Sequence, residues 1–281
     1  TKDPTAGQWP RIEHIVTDRK ELPELPPVLI EGVLRKGGKM IVTAASKAGK
    51  SFLLIELAEA LAAGGEWLGM ECERCRVLYV NLEIQRAQFL HRAFSVMEKG
   101  GYDPEACMEN LDIWNLRGVA SDIETLAGHL ETEAGGYDVV IIDPAYKVQG
   151  GIENDADAIS RFCHWLDVIC QSLGCTVVFS HHHSKGDKSS ASAIDRGSGS
   201  GVFARDPDAI LDLMELELDE TARMGRDVRH SLDGATAWRM EFVLRDFGEH
   251  VPVDMWWRYP IHEADDGGVL DGGKVLSNPR S

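Results

Sequence analysis

An α/β fold with a mostly parallel central sheet, flanked by helices and extended on its C-terminal side by antiparallel strands, is what this sequence predicts. Three observations carry that expectation. Five apolar runs of strand length, at 39–43, 77–82, 111–114, 139–142 and 176–179, are bounded by glycine or acidic turns. Four segments of helical character, at 51–63, 85–99, 122–134 and 156–173, fall one by one between those runs, and such crossovers are what parallel strands require. After 208 the pattern changes, because "DAILDLMEL", "AWRMEFVLRDF" and "VDMWWRYPI" read as strands with no helix between them.

In chain order, residues 1–27 are polar and proline-rich and end in "ELPELPP", which suits an extended lead-in. The sheet domain is expected over 28–262, with antiparallel strands from about 208, and a flexible tail over 263–281. After Phe179 comes "SHHHSKGDKSSASAIDRGSGSG", polar and without period, which reads as a poorly ordered, functional or mobile loop. The start at Thr1 and the glycine-rich end suggest a fragment of a longer chain, and no internal repeat is visible.

The 281 residues are 43% hydrophobic and 27% charged, the balance of a globular protein with a substantial core. No apolar run approaches the ~20 residues of a membrane span, and no secretory leader precedes the first turn, so no membrane partner and a cytoplasmic location are expected. A net charge of −17 argues against a broad basic face, though a local basic loop can still hold a nucleic-acid backbone. Cys72 and Cys75 form a single C-x-x-C without a second ligand pair, so a turn between two strands is favoured over a metal or redox site. Cys107, Cys163, Cys170 and Cys175 read as small buried hydrophobes.

The segment "AASKAGKS" at 44–51 fits the phosphate-binding pattern G-x-x-x-x-G-K-[ST] at every required position except the first, which is Ala44. A strand precedes it and an apolar helix follows, as the motif demands. Backbone N–H groups of Ala45, Ser46, Lys47, Ala48, Gly49, Lys50, Ser51 and Phe52 would then surround phosphates, with the helix dipole adding to the attraction. Lys50 would neutralise the outer phosphates and the Ser51 hydroxyl would ligate Mg²⁺. The competing reading is a plain glycine turn with a solvent-facing lysine.

Three further strand ends supply partners. "DVVIID" places Asp143 at the carboxyl end of a parallel strand, where it would hold Mg²⁺ through water, unless it merely closes a buried strand. "VLYVNLE" ends in Glu83; if its strand lies beside that of the phosphate loop, Glu83 would orient or deprotonate a water, and otherwise it starts the next helix. In "VVFSHHHSKG", alternation puts His181 and His183 on one side and His182 on the other, so that one side senses a phosphate. Neighbouring histidines on an extended strand cannot all chelate one ion.

Taken together, "ASKAGKS", "VNLE", "VVIID", "GCTVVFSHHHSKG" and "DRGSGSGVFARDPDAI" resemble the RecA-like ATPases of the hexameric replicative helicase group. Over about 30–214 the chain is most similar to plasmid RepA-type helicases and their phage and mobile-element AAA relatives. The resemblance implies a RecA-like P-loop NTPase fold, ATP and Mg²⁺ as cofactors, a homo-hexameric ring with ATP between subunits, and catalytic roles for Lys50, Glu83, Asp143, His181 and His182. It also implies an arginine finger at Arg196, with Arg205 as alternate or companion, unless these arginines are simply solvated.

The expectation is a Mg²⁺-dependent ATPase that moves along single-stranded DNA and works with other replication proteins. DNA contact is expected in two loops, "AYKVQGGIENDA" and "HSKGDKSSASAIDRGSGSG", through Lys147, Lys185 and Lys188, although Glu153, Asp187 and Asp195 also suit solvated surface loops. The rival expectations are a DNA-binding switch, loader or recombination factor that does not unwind, and a nucleotide-dependent assembly protein.

Overall fold

The structure, a computed structural model, describes residues 22–45, 48–119, 122–150, 156–182, 203, 205–217 and 235–276. Among the described residues, thirteen strands and five α-helices run in the order β1 (Val28–Ile30), β2 (Leu34–Arg35), β3 (Lys39–Ala44), α1 (Lys50–Ala63), β4 (Glu66–Trp67), β5 (Met70–Glu71), β6 (Val77–Asn81) and α2 (Arg86–Gly100). There follow α3 (Pro104–Asn110), β7 (Leu111–Asn115), α4 (Ile123–Glu133), β8 (Val139–Asp143), a short 3-10 turn (Ala145–Lys147), α5 (Ala156–Leu173) and β9 (Thr176–His182). The chain closes with β10 (Ala209–Glu215), β11 (Thr236–Leu244), β12 (Val253–Arg258) and β13 (Ile261–Ala264).

Nine of these strands form one sheet in the order β13-β12-β11-β10-β3-β9-β8-β6-β7. From β10 to β7 every neighbouring pair is parallel, and β11, β12 and β13 add antiparallel strands at the β10 edge. The predicted α/β class with an antiparallel C-terminal extension therefore stands, with one refinement. The strand after 208 pairs parallel with β3, Leu211 opposite Val42, so the antiparallel part begins only at β11.

Side-chain alternation sorts the sheet into two faces. Met40, Val42, Tyr79, Ile141, Val178 and Leu211 pack with α1 and α2 on one side. Ile41, Val80, Val140, Ile142, Val177 and Phe179 pack with α4 and α5 on the other. Helix α1 is buried almost all round, from Phe52 to Ala62, as a helix lying between the sheet, α2, α3 and β13 must be. Cross-strand pairing in the extension is reinforced where Arg239 of β11 grips Asp254 of β12 with two parallel bonds, Nε to Oδ1 at 2.6 Å and Nη2 to Oδ2 at 2.7 Å.

Several elements escaped the sequence. The small hairpins β1–β2 and β4–β5 are too short to show a period, and α3 is a seven-residue helix started by Pro104 and by Asp103, whose carboxylate accepts from the Glu105 N–H. The tail expected to be flexible from 263 is held as far as 276: Leu270 is buried, the Leu276 N–H donates to Glu215 and the Glu217 N–H donates to Lys274. Its glycine-rich composition concealed these few anchoring residues. Cys72 and Cys75 lie at the turn between β5 and β6, both buried, and burial pushes each thiol up to about 12, away from the thiolate that metal or redox chemistry uses. No cluster of His, Cys, Asp and Glu suited to a metal occurs among the described residues, and among them no helix is long and apolar enough to cross a membrane.

Candidate active site

The strand and helix flanking the phosphate-loop sequence form as that pattern requires, β3 ending at Ala44 and α1 starting at Lys50. Gly49 is the N-cap of α1 with φ +79°, a left-handed conformation that a side chain would strain, and a Cβ there would also come within 3.2 Å of His262 Nε2. Ala44, where the motif has its first glycine, is a fully buried strand residue, so the departure from the pattern falls on regular backbone. Ser46 and Lys47 lie outside the described residues, whereas Ala45, Ala48, Ser51 and Phe52 are placed around the end of the strand and the first turn of the helix.

Lys50 is only 6% exposed, and its ammonium donates to the carbonyls of Ala44 at 3.0 Å and Ala45 at 2.8 Å. Its third contact is His182 Nδ1 at 3.0 Å. An ammonium can only donate, so Nδ1 is the acceptor and the neutral ring keeps its proton on Nε2. Burial draws the lysine down to about 8, and the charges of Asp143 and Glu83 pull it partly back.

Asp143 stands at the end of β8, 3% exposed, with a donor on each oxygen: Ser180 Oγ to Oδ1 at 2.5 Å and Tyr79 hydroxyl to Oδ2 at 2.8 Å. All three side chains lie on the α1 face, because Tyr79, Asp143 and Ser180 share the parity of the core residues Val77, Ile141 and Val178. These two bonds fix the carboxylate and leave its remaining lone pairs for water, which fits a role in the outer coordination of Mg²⁺ with Ser51 as the hydroxyl ligand. The donor set is all oxygen, as that hard cation prefers.

Glu83 follows β6, and here the expected neighbourhood is wrong. Strands β9 and β8 lie between β3 and β6, so the strand of Glu83 is not adjacent to that of the phosphate loop. The residue nevertheless belongs to the same carboxyl edge of the sheet, and its charge is felt at Lys50. Asn81 shapes the turn that presents it: its Oδ1 accepts from the Ile84 N–H at 2.9 Å, and its Nδ2 donates to the Ile84 carbonyl at 2.7 Å. Glu83 is exposed, and the Tyr146 hydroxyl donates to its Oε1 at 3.3 Å.

The two histidines separate as strand parity dictates. His182 reaches Lys50 and lies tilted beside Tyr146, with ring centroids 5.6 Å apart. His181, also proposed at the site, turns to the opposite face, where its ring lies 4.7 Å from Phe203. Arg205 is exposed at the other edge of the sheet, its carbonyl accepting from Arg245, so it does not meet the phosphate loop of its own chain. Lys147 is exposed, with its ammonium 4.8 Å from the centre of the Tyr146 ring. Arg196, Lys185 and Lys188 lie outside the described residues.

Tyr79, Ser180 and Tyr146 are the site residues that sequence reasoning missed. A signal for Ser180 existed: it lies two residues before His182 on one strand and so shares its face.

A family profile described as an AAA domain matches residues 10–188, a stretch that contains the phosphate loop, Glu83, Asp143 and His182 and ends before β10. No curated protein matches the chain. Since the profile spans more than half of the sequence, and covers the P-loop strand, its helix and the carboxylates facing them, the chain belongs to the AAA domain family of P-loop ATPases.

Proposed function

We propose that this chain is the Mg²⁺-dependent ATPase core of a hexameric DNA helicase or replication protein of the plasmid RepA type, encoded by a mobile element and acting in the cytoplasm. It hydrolyses ATP at subunit interfaces and couples the reaction to movement along single-stranded DNA. Phosphates enter at the N-terminus of α1, where they take over donors of Lys50 now held by the Ala44 and Ala45 carbonyls. Ser51 and, through water, Asp143 would hold a magnesium ion, which would supply positive charge to offset that of the phosphates. Glu83 orients the attacking water and accepts its proton, and His182 offers Nε2–H to the terminal phosphate. Arg196 of a neighbouring subunit, with Arg205 as companion, supplies the remaining positive charge.

The observation that carries the coupling to DNA is the short path through Tyr146. Its hydroxyl meets Glu83, and the ammonium of Lys147, a DNA-contact candidate, lies over its ring. A backbone phosphate engaging Lys147 would shift the group that holds the proposed base. ATP hydrolysis measured with and without single-stranded DNA tests the reading: DNA should stimulate the wild type, and Lys147→Ala should lose most of that stimulation while keeping most basal turnover.

The net charge of −17 favours a second reading, a DNA-binding switch or loader that hydrolyses ATP without translocating. DNA stimulation without strand displacement would select it. Indifference to DNA would select a nucleotide-dependent assembly protein.

A further inference from the structure

The hairpin β12–β13 lies beyond the stretch matched by the family profile, yet it packs against the phosphate loop. A Cβ on Gly49 would stand 3.8 Å from Trp257 Cδ2 and 3.3 Å from His262 Cε1. The hairpin is fixed there by a buried bond set: Glu56 of α1 accepts from the His262 backbone N–H at 3.1 Å and pairs with its Nδ1 at 2.7 Å. Glu56 is one helical turn beyond Phe52, so this anchor and the first turn of α1 lie along the same side of the helix.

Aromatic rings gather at that place. Phe52, directly after the phosphate-loop serine, has its ring 5.1 Å from Trp257 and 5.4 Å from Tyr259, the latter edge-on at 71°. Trp257 and Tyr259 meet edge-on at 6.2 Å, and the Arg92 guanidinium covers Phe52 at 4.8 Å. Phe52 is 8% exposed, whereas Tyr259 is 71% exposed. A large aromatic ring is thus held in a set orientation by its edge contacts while most of its surface faces solvent, immediately beside the loop that would cradle phosphates.

Phosphates bound along the loop and at the N-terminus of α1 leave the nucleoside to extend past Ser51 and Phe52. We propose that the β12–β13 hairpin is the nucleobase platform of this site, with the base stacked on Tyr259 and with Trp257 and Phe52 as the wall behind it. The inference rests on the nucleotide-binding reading above and deepens it. Stacking on an aromatic ring accepts any base through its π-face, so this contact adds affinity without reading hydrogen-bonding edges.

Calorimetric binding of ATP and of inorganic tripolyphosphate to wild type, Tyr259→Ala and Tyr259→Phe tests it. Tyr259→Ala should weaken ATP about tenfold while leaving tripolyphosphate unchanged, and Tyr259→Phe should bind both as wild type does. A Tyr259→Ala protein that binds ATP like wild type, or that loses ATP and tripolyphosphate equally, overturns the platform, while binding of both ligands by wild type keeps the nucleotide reading. Wild type that binds neither ligand overturns the nucleotide reading itself and the platform with it.

Discussion

Nζ of Lys50 and Nδ1 of His182 lie 3.0 Å apart, joining the first residue of α1 to the last residue of β9. With the Ala44 and Ala45 carbonyls, this contact uses all three donors of the ammonium. The lysine that would meet phosphate is therefore preorganised by backbone oxygens and one neutral ring, and burial makes its charge costly.

That cost gives a pH dependence. Burial places Lys50 near 8, well below the ordinary 10.5, while bound phosphates would favour its charged form. Above about pH 8 the free protein carries fewer protons at Lys50 than the complex, so ATP affinity should fall as pH rises, by up to about tenfold per unit. Calorimetry in two buffers of different ionisation enthalpy should show proton uptake on binding in that range. Flat affinity with no uptake would mean that Lys50 is not the phosphate cation.

Glu59 gives a second, independent pH effect. It sits inside α1 with no exposed surface, neither carboxyl oxygen makes a hydrogen bond among the described residues, and burial, with Glu56 nearby, pushes it up to about 9. A raised acid binds its proton in the folded state while the unfolded chain releases it near 4.5, so its effect on stability worsens as pH rises from there to about 9. The slope is at most ~1.4 kcal/mol per pH unit. Thermal unfolding across that window should decline more steeply for wild type than for Glu59→Gln. Parallel profiles for the two proteins would remove the buried acid from the account.

Most of the fold was legible because strand and helix periods are local properties. The five parallel strands expected before 180 and the four long helices stand within a few residues of where the sequence puts them. The phosphate loop was legible for the same reason, since one uninterrupted strand–loop–helix stretch carries it. The order of strands was not: nothing in "VNLE" reveals that β9 and β8 separate it from β3, because that order is set by packing between distant segments. Pairing of Glu56 with His262, 206 positions apart, is invisible for the same reason, and with it the hairpin on Gly49. Strand parity, by contrast, already held the division between His182 at the site and His181 in the core, and only the identity of each face had to come from the structure.

The proposed site uses Lys50 to hold phosphate and Glu83 to act on water. ATP binding and steady-state Mg²⁺-ATP hydrolysis, measured side by side on wild type, Lys50→Ala and Glu83→Gln, test it most directly. Lys50→Ala should lose tight binding and turnover together, whereas Glu83→Gln should bind ATP nearly as wild type does and hydrolyse it about 10²- to 10⁴-fold more slowly. Wild-type hydrolysis by Lys50→Ala would contradict the site, and wild-type hydrolysis by Glu83→Gln would contradict the role given to its carboxylate.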